Sequence, residues 1–244
     1  MTSYSVITIC LNCSNTISRT IDSVMSQELL PKQYIFVLGC SEDESYNVIL
    51  SYKDFIERLD VEFILIEENK TSRAGIPVAW NLGIEAIKSD VVAILNADDF
   101  YSSNNLMSNV VAHFNDNSEC LIVSGNIQYT NNSTIIKNRL QQLFPFLNPY
   151  NHPATFIAKK LYDKIGFYNT SYIVSADYEF IYRAFSLGYN FLRDDKIIVS
   201  MSPGGFASKN KKIGRYEAYK IASNHSRFNI LPAIAFILRL ILRK

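Results

Sequence analysis

The feature that most constrains this chain is an alternation running from residue 5 to about residue 125, in which short apolar, β-rich runs are each followed by a longer amphipathic stretch. Strands that alternate with helices in this way pack as a parallel sheet covered by those helices. The expected strands are Ser5 to Cys10, Tyr34 to Leu38, Glu62 to Ile66, Val91 to Leu95 and Cys120 to Ser124. Between them Ile17, Ile21, Val24 and Met25 recur at helical spacing, as do Val48, Tyr52, Phe55 and Leu59, and then Ile76, Ala79, Trp80, Gly83 and Ile87. Each strand is therefore expected to lead into its own helix. A chain of 244 residues, 48% of them apolar, has enough material for one large α/β core.

The rhythm stops between Tyr129 and Tyr150, where an Asn/Ser/Thr cluster and two prolines, Pro145 and Pro149, predict a variable loop. Beyond it Leu161 and Ile165 mark a short helix ending near Gly166, and Ser175 stands where it would cap a stronger helix running to about Leu187. Arg193 to Ser200 reads as a returning strand, followed by the turn Pro203-Gly204-Gly205. The chain thus divides into a domain over 1–208, with halves at about 1–125 and 126–208, and a tail over 209–244.

In the tail, Lys209, Lys211, Lys212, Arg215 and Lys220 precede an apolar stretch from Ile230 to Leu242 broken only by Pro232 and Arg239. That stretch is shorter than the about 20 residues needed to span a bilayer. Two readings remain for it: an amphipathic helix lying on an anionic membrane face, or a helix packed on the domain or on a partner chain, which would make an oligomer. The net charge of +1 gives no sign of a nucleic-acid partner. Cys10 and Cys13 form a C-x-x-C without a second pair at zinc-ligand spacing, and Cys10 belongs to an apolar run, so strand packing explains it. With no signal peptide ahead of the first strand and no sign of cysteine pairing, the expected location is cytoplasmic.

The chemistry is expected at the carboxylates. Asp98 and Asp99 follow the strand Val91 to Leu95, and ligands of open α/β sheets bind beyond the carboxyl ends of the strands. Adjacent carboxylates repel unless a cation or strong donors compensate, so the pair either binds Mg²⁺ or Mn²⁺ or caps the following loop. Asp177 shares a helical face with Phe180, Ile181 and Ala184, which predicts an inward-facing carboxylate, either a general base or a hydrogen-bonded structural group. Glu179 is expected to point the other way and to pair with Arg183 at the surface. No G-x-x-x-x-G-K-[ST] or G-x-G-x-x-G follows the first strand, and no G-x-S-x-G or H-E-x-x-H occurs.

Several segments, in order, resemble the family 2 glycosyltransferases with the GT-A fold, from about Ser5 to Ser208. Ser5-Val6-Ile7-Thr8-Ile9 with Asn12, then Thr20-Ile21-Asp22-Ser23-Val24 and Gln27, is similar to the family's opening strand and helix. Gly39-Cys40-Ser41-Glu42-Asp43 resembles its nucleotide-base loop, and Ala79-Trp80-Asn81-Leu82-Gly83-Ile84 its A-x-N-x-G-I helix. Asn96-Ala97-Asp98-Asp99 aligns with its metal motif, and Ala176-Asp177 with a catalytic-base motif that is usually Glu-Asp. His152-Pro153-Ala154-Thr155-Phe156, Ala176-Asp177-Tyr178 and Gly204-Gly205-Phe206-Ala207-Ser208 are similar to members that build bacterial surface polysaccharides.

The resemblance implies a GT-A-type, Rossmann-like, mostly parallel sheet flanked by helices, with the amphipathic helical tail appended. It also implies a metal-dependent, inverting enzyme that takes a nucleoside-diphosphate sugar as donor and a glycan or polyprenyl-linked acceptor; the basic and apolar tail motivates a place at the inner face of the cytoplasmic membrane. In that reading Asp177 is the base and Asp98 and Asp99 hold Mn²⁺ or Mg²⁺, without deciding which carboxylate ligates directly. Thr8, Asn12, Ser41, Asp43, Arg73 and Asn81, with Asp98, would hold the donor, and His152 and Glu179 would lie on the acceptor side. Arg73 also reads as a solvated loop cation, and His152 as a structural residue. The family often has Asp where this chain has Leu38, and Asp where it has Asn96. These departures keep a second reading open, a non-catalytic nucleotide-sugar binding or polysaccharide-assembly protein that retains the fold.

Overall fold

A computed structural model describes residues 1–68, 75–139, 143–144, 147–189 and 191–225, together with Pro232, Ile234, Phe236 and Ile237. Strands β1 (Tyr4–Cys10), β2 (Gln33–Leu38), β3 (Glu62–Glu67), β4 (Val91–Ile94), β5 (Phe100–Tyr101), β6 (Ile122–Tyr129), β7 (Ile135–Ile136), β8 (Thr155–Ala158) and β9 (Leu192–Met201) form one sheet. The helices are α1 (Ile17–Met25), α2 (Ser45–Ser51), α3 (Lys53–Glu57), α4 (Ile76–Glu85), α5 (Leu106–Asp116), α6 (Lys159–Ile165), α7 (Ala176–Ser186), α8 (Phe206–Lys209) and α9 (Lys211–His225).

The strand order is β3-β2-β1-β4-β8-β6-β9-β5, with β7 beside β6. The first four strands are parallel throughout, as their helix-separated runs require. The sheet then becomes mixed, because β8 is antiparallel to both β4 and β6, while β9 is parallel to β6 and antiparallel to β5. Since β8 opposes both neighbours, β6 keeps the direction of β4 but lies one strand away from it. The parallel expectation therefore holds for the first half, and the second half is a mixed extension of the same sheet. β6 also runs on to Tyr129, past the expected end at Ser124.

The core lies where the first half predicts it. Val6, Ile7, Ile35, Phe36 and Ala93 are fully enclosed, and α1 buries Ile17, Ile21, Val24 and Met25 against the sheet. Close packing of α4 on β1 depends on Gly83, because a side-chain carbon there would stand 2.6 Å from Ile7 Cγ2. The expected helix through Val48, Tyr52, Phe55 and Leu59 is instead two helices meeting at Tyr52, and Phe55 and Leu59 are exposed.

The tail does not stand apart from the domain over its described part. α9 packs on α7 and buries Glu217, Ile221 and Ala222. Gly214 permits this approach, since a side-chain carbon at that position would lie 3.0 Å from Val174 Cγ1. The apolar stretch from 230 to 242 falls largely outside the described residues.

Candidate active site

The carboxyl end of β4 places Asp98 and Asp99 beside α1 and the end of β9. Asp99 is almost enclosed, and protein donors occupy both of its oxygens: the Ser202 N–H donates to Oδ1 at 3.0 Å and the Asn96 amide to Oδ2 at 3.1 Å. Its backbone carbonyl accepts the Thr20 hydroxyl at 2.8 Å. The Asp98 carbonyl accepts from Arg19 at 2.9 Å and from the Ser202 hydroxyl at 2.6 Å. The Asp98 carboxylate is half-buried; its own backbone N–H donates to it and the Arg19 charge acts on it.

Burial pushes Asp98 upward, and burial together with the Asp98 charge pushes Asp99 up to about 7. A crowded carboxylate pair is the donor set that Mg²⁺ and Mn²⁺ accept, since such ions take one or two protein carboxylates and complete their shell with water and substrate phosphate. The residues fit a cation held in this way. Among the described residues no group of three His, Cys, Asp or Glu side chains could supply a closed protein cage.

At the carboxyl ends of β1 and β2 the expected nucleoside residues Asn12, Ser41 and Asp43 come together. Asn12 sits in the left-handed region at φ 50°, a conformation that Asn tolerates better than most residues. Its N–H donates to Ser41 Oγ at 3.0 Å and its side-chain carbonyl accepts the Glu42 N–H at 2.8 Å, tying the two loops together. Asp43 accepts from the Ser14 N–H and from both the N–H and hydroxyl of Ser45, bonds that hold its carboxyl well below the usual range, Ser45 foremost.

Thr8, also expected at the nucleoside, lies fully buried in β1 with its hydroxyl donating to Tyr34 at 3.3 Å. Asn81 binds the Tyr168 backbone with both ends of its amide, at 2.9 and 3.0 Å, joining α4 to the segment before α7. Arg73 lies outside the described residues.

Asp177 is the second residue of α7, half-buried, and Asn148 donates to its Oδ2 at 3.2 Å. Burial pushes its carboxyl up to about 6. The segment from Asn148 leads into His152 at the start of β8, whose first residues lie antiparallel to the end of β4. The start of β8 thus lies at the end of the sheet where β4 leads into Asp98 and Asp99, and the segment before it supplies the Asn148 that meets Asp177. His152 stacks on Trp80 with ring centroids 4.3 Å apart, and burial pushes its imidazole down to about 4, so it is a neutral ring at physiological pH.

The expected roles of the two acids on α7 are partly exchanged in burial. Glu179 is 5% exposed, paired with Arg183 at 3.1 Å and with His225 of α9 at 3.5 Å, and is not a surface residue. α9 covers the face on which Glu179 stands, and that contact is too distant in sequence for helical periodicity to register. Ser175 occupies the cap position of α7, but its hydroxyl donates to the Gly214 carbonyl at 3.3 Å and not to its own helix. Sequence reasoning did not single out Arg19, Asn148 and Ser202, which bond the candidate carboxylates or their backbone. Arg19 alone carried a signal, a cation on the helix that follows the first strand, where the diphosphate end of a donor would be sought.

Comparison with known proteins agrees with this geometry. The model of "Glycosyl transferase family 2" matches residues 5–179. An uncharacterized glycosyltransferase of Rickettsia prowazekii is 24% identical over 229 residues, covering 88% of this chain and 69% of its own. A PGL/p-HBAD biosynthesis glycosyltransferase of Mycobacterium tuberculosis is 26% identical, covering 75% of this chain and 70% of its own. Among solved structures, S. aureus TarS in complex with UDP-GlcNAc superposes with a TM-score of 0.73 at 13% identity, over 99% of this chain and 73% of TarS. The mannosyltransferase PcManGT of Pyrobaculum calidifontis, in complex with GDP-Man and Mn²⁺, gives 0.74 at 15% identity, over 99% of this chain and 70% of its own. These superpositions establish the shared GT-A fold, and the family match over most of the chain establishes the rest: this protein belongs to glycosyltransferase family 2.

Proposed function

We propose that the chain is an inverting transferase that moves a sugar from a nucleoside-diphosphate donor to a hydroxyl of a glycan or polyprenyl-linked acceptor in the assembly of a bacterial surface polysaccharide. The observation that carries this reading is a crowded carboxylate pair, Asp98 and Asp99, beyond the carboxyl end of β4, together with an Asp177 carboxylate whose burial raises its proton affinity to about 6. The donor class is supported by the UDP-GlcNAc and GDP-Man held by the two solved neighbours.

Asn12, Ser41 and Asp43 form the rim on which the nucleoside rests. Asp98, backed by Asp99, would hold Mg²⁺ or Mn²⁺, which when bound supplies positive charge at the departing diphosphate. Arg19 contributes a cation anchored by the Asp98 carbonyl and by the Phe100 ring, 4.4 Å from its guanidinium. Asp177 is ionised above about pH 6 and accepts the acceptor's proton as that oxygen attacks the anomeric carbon. Asn148 and the backbone N–H groups of Asp177 and Tyr178 hold the Asp177 carboxylate in place. A base on the acceptor side and a leaving group on the opposite side of the ring give inversion by a single displacement.

The tail supports work at a membrane face in the cytoplasm. Lys209, Lys211 and Lys212 are exposed beside Phe206, Ile213 and Tyr216, which are 44%, 41% and 61% exposed. No helix among the described residues is long and apolar enough to cross a membrane. The chain should sediment with anionic vesicles and not with neutral ones, and equal behaviour on both would remove the membrane part of the reading.

The activity is tested by incubating the chain with UDP-, GDP- and dTDP-sugars, Mn²⁺ and a panel of glycan and polyprenyl-phosphate-linked acceptors. Release of one nucleoside diphosphate, with a product of inverted anomeric configuration by NMR, is expected. A product of retained configuration contradicts the mechanism, and donor binding without release or transfer favours the non-catalytic assembly protein.

A further inference from the structure

The buried carboxylate of Glu217 belongs to no part of the mechanism above. It stands on α9, 7% exposed, with no Lys, Arg or His paired to it among the described residues. Three backbone groups compensate its burial: the N–H of Ile173 donates to Oε1 at 2.7 Å, and those of Val174 and Ser175 donate to Oε2 at 2.9 Å each. These residues form the turn that enters α7, and Asp177 follows two positions later. The cap hydroxyl of Ser175 reaches the same helix through the Gly214 carbonyl. A second grip lies one turn further along α7, where His225 of α9 meets Glu179 at 3.5 Å and Arg183 binds the Phe167 and Ile165 carbonyls.

A lone carboxylate that gathers three consecutive N–H groups fixes the backbone of that turn more tightly than packing alone does, because charge-assisted bonds are about twice as strong as neutral ones. The start of α7 has no side-chain cap of its own. We infer that Glu217 is a positioning residue for glycosyl transfer: by binding the N–H groups of Ile173, Val174 and Ser175, α9 aims the first turn of α7 and sets where the Asp177 carboxylate meets the acceptor. The inference rests on the reading of Asp177 as the base. It also gives the C-terminal segment a part in catalysis distinct from membrane contact.

Glu217 acts on Asp177 by its charge as well. The groups facing Asp177 are the Asn148 amide from the segment before β8, Tyr168 from the segment before α7, and Glu217 from α9, with Glu179 and Arg183 further along α7 itself. Burial is the main reason that the Asp177 carboxyl is raised, and the Glu217 charge adds to it. Removing that charge lowers the proton affinity of Asp177, so the acid limb of the rate profile moves to lower pH. A purely structural Glu217 would not move it.

The test compares Glu217→Gln, Glu217→Asp, Asp177→Asn and Ile221→Ala in the full-length chain, reading kcat, nucleotide affinity, thermal stability and the pH profile. Glu217→Gln keeps the shape but turns an amide donor toward the N–H groups. Its kcat should fall by about tenfold to a hundredfold, the cost of a small misplacement of a reacting group, with nucleotide affinity held. Glu217→Asp, charged but shorter, should recover part of the rate and the wild-type acid limb. Ile221→Ala, which loosens the same helix pair without touching the carboxylate, should lower the melting temperature while leaving kcat and the limb in place. The inference is overturned if Glu217→Gln keeps wild-type kcat and acid limb, if it loses nucleotide affinity in step with kcat, or if Ile221→Ala reproduces its kinetics. Should Glu217→Gln fail to fold, a Glu217→Asp enzyme with wild-type kcat overturns it as well. If Asp177→Asn itself turns over normally, it is the reading of the base that fails, whatever Glu217 does.

Discussion

The two acidic positions of the candidate site are secured in contrasting ways. Asp99 is fixed by Asn96 within its own loop and by Thr20 and Ser202, which reach it from α1 and from the end of β9. Asp98 has its backbone carbonyl held by Arg19 and Ser202, while its half-buried carboxylate meets its own N–H. Asp177 instead rides on a helix whose entry turn is bound by a carboxylate 42 to 44 residues later in the chain. The metal end is thus a rigid product of the sheet, whereas the base end depends on the docking of α9. Separate supports let the donor site and the base be perturbed one at a time, and the following outcomes probe that separation.

The largest effect is expected from Asp177→Asn. Turnover should fall by about 10²- to 10⁴-fold, the range a general base contributes, while nucleotide binding persists. The same variant should melt higher above pH 6. Asp177 has a folded-state proton affinity of about 6 against an ordinary 3.8, so the native state loses stability as pH rises through that window and the Asn variant does not. An unchanged melting temperature would mean that the carboxylate is not held at a cost. In the wild-type enzyme kcat/KM should decline as pH falls through about 6, where Asp177 takes up its proton, and a flat profile down to pH 4 would remove it as the base.

An intermediate effect is expected at the α7–α9 contact. Ile221 is fully enclosed, so Ile221→Ala should cost about 2–5 kcal/mol in chemical denaturation. A loss below about 1 kcal/mol would mean that α9 is loosely docked, which would weaken the contrast drawn here. The smallest effect is expected from Thr20→Val, which removes one buried hydrogen bond to the Asp99 carbonyl and should cost about 1 kcal/mol, with a modest rise in the metal concentration needed for activity. A larger kinetic loss would make Thr20 a greater part of the site than its single bond suggests.

Much of the donor half was legible in the sequence because its information is local. Runs such as Val6-Ile7-Thr8-Ile9 and Tyr34-Ile35-Phe36-Val37 are buried on both faces and announce themselves as β1 and β2 to within a residue. The second half was harder to read. β8 is four residues long and fills a gap left between two other strands, and nothing in Thr155-Phe156-Ile157-Ala158 specifies that gap. On α7 nearly every position from Ala176 to Ala184 is enclosed, so periodicity could not separate an inward Asp177 from an outward Glu179. The residues that spend their polar atoms on distant backbone, Asn81 on Tyr168 and Glu217 on the entry to α7, were not legible for the same reason. A side chain's partner across the fold leaves no spacing in the sequence.

The most direct test is calorimetric titration of UDP, GDP, dTDP and CDP, with Mn²⁺ and with EDTA, into the wild-type chain and into Asp98→Ala and Asp177→Asn. The account predicts metal-dependent binding of one nucleotide that is lost in Asp98→Ala and retained in Asp177→Asn. Binding that survives Asp98→Ala unchanged, or that disappears in Asp177→Asn, would contradict the division of labour between the two acidic positions.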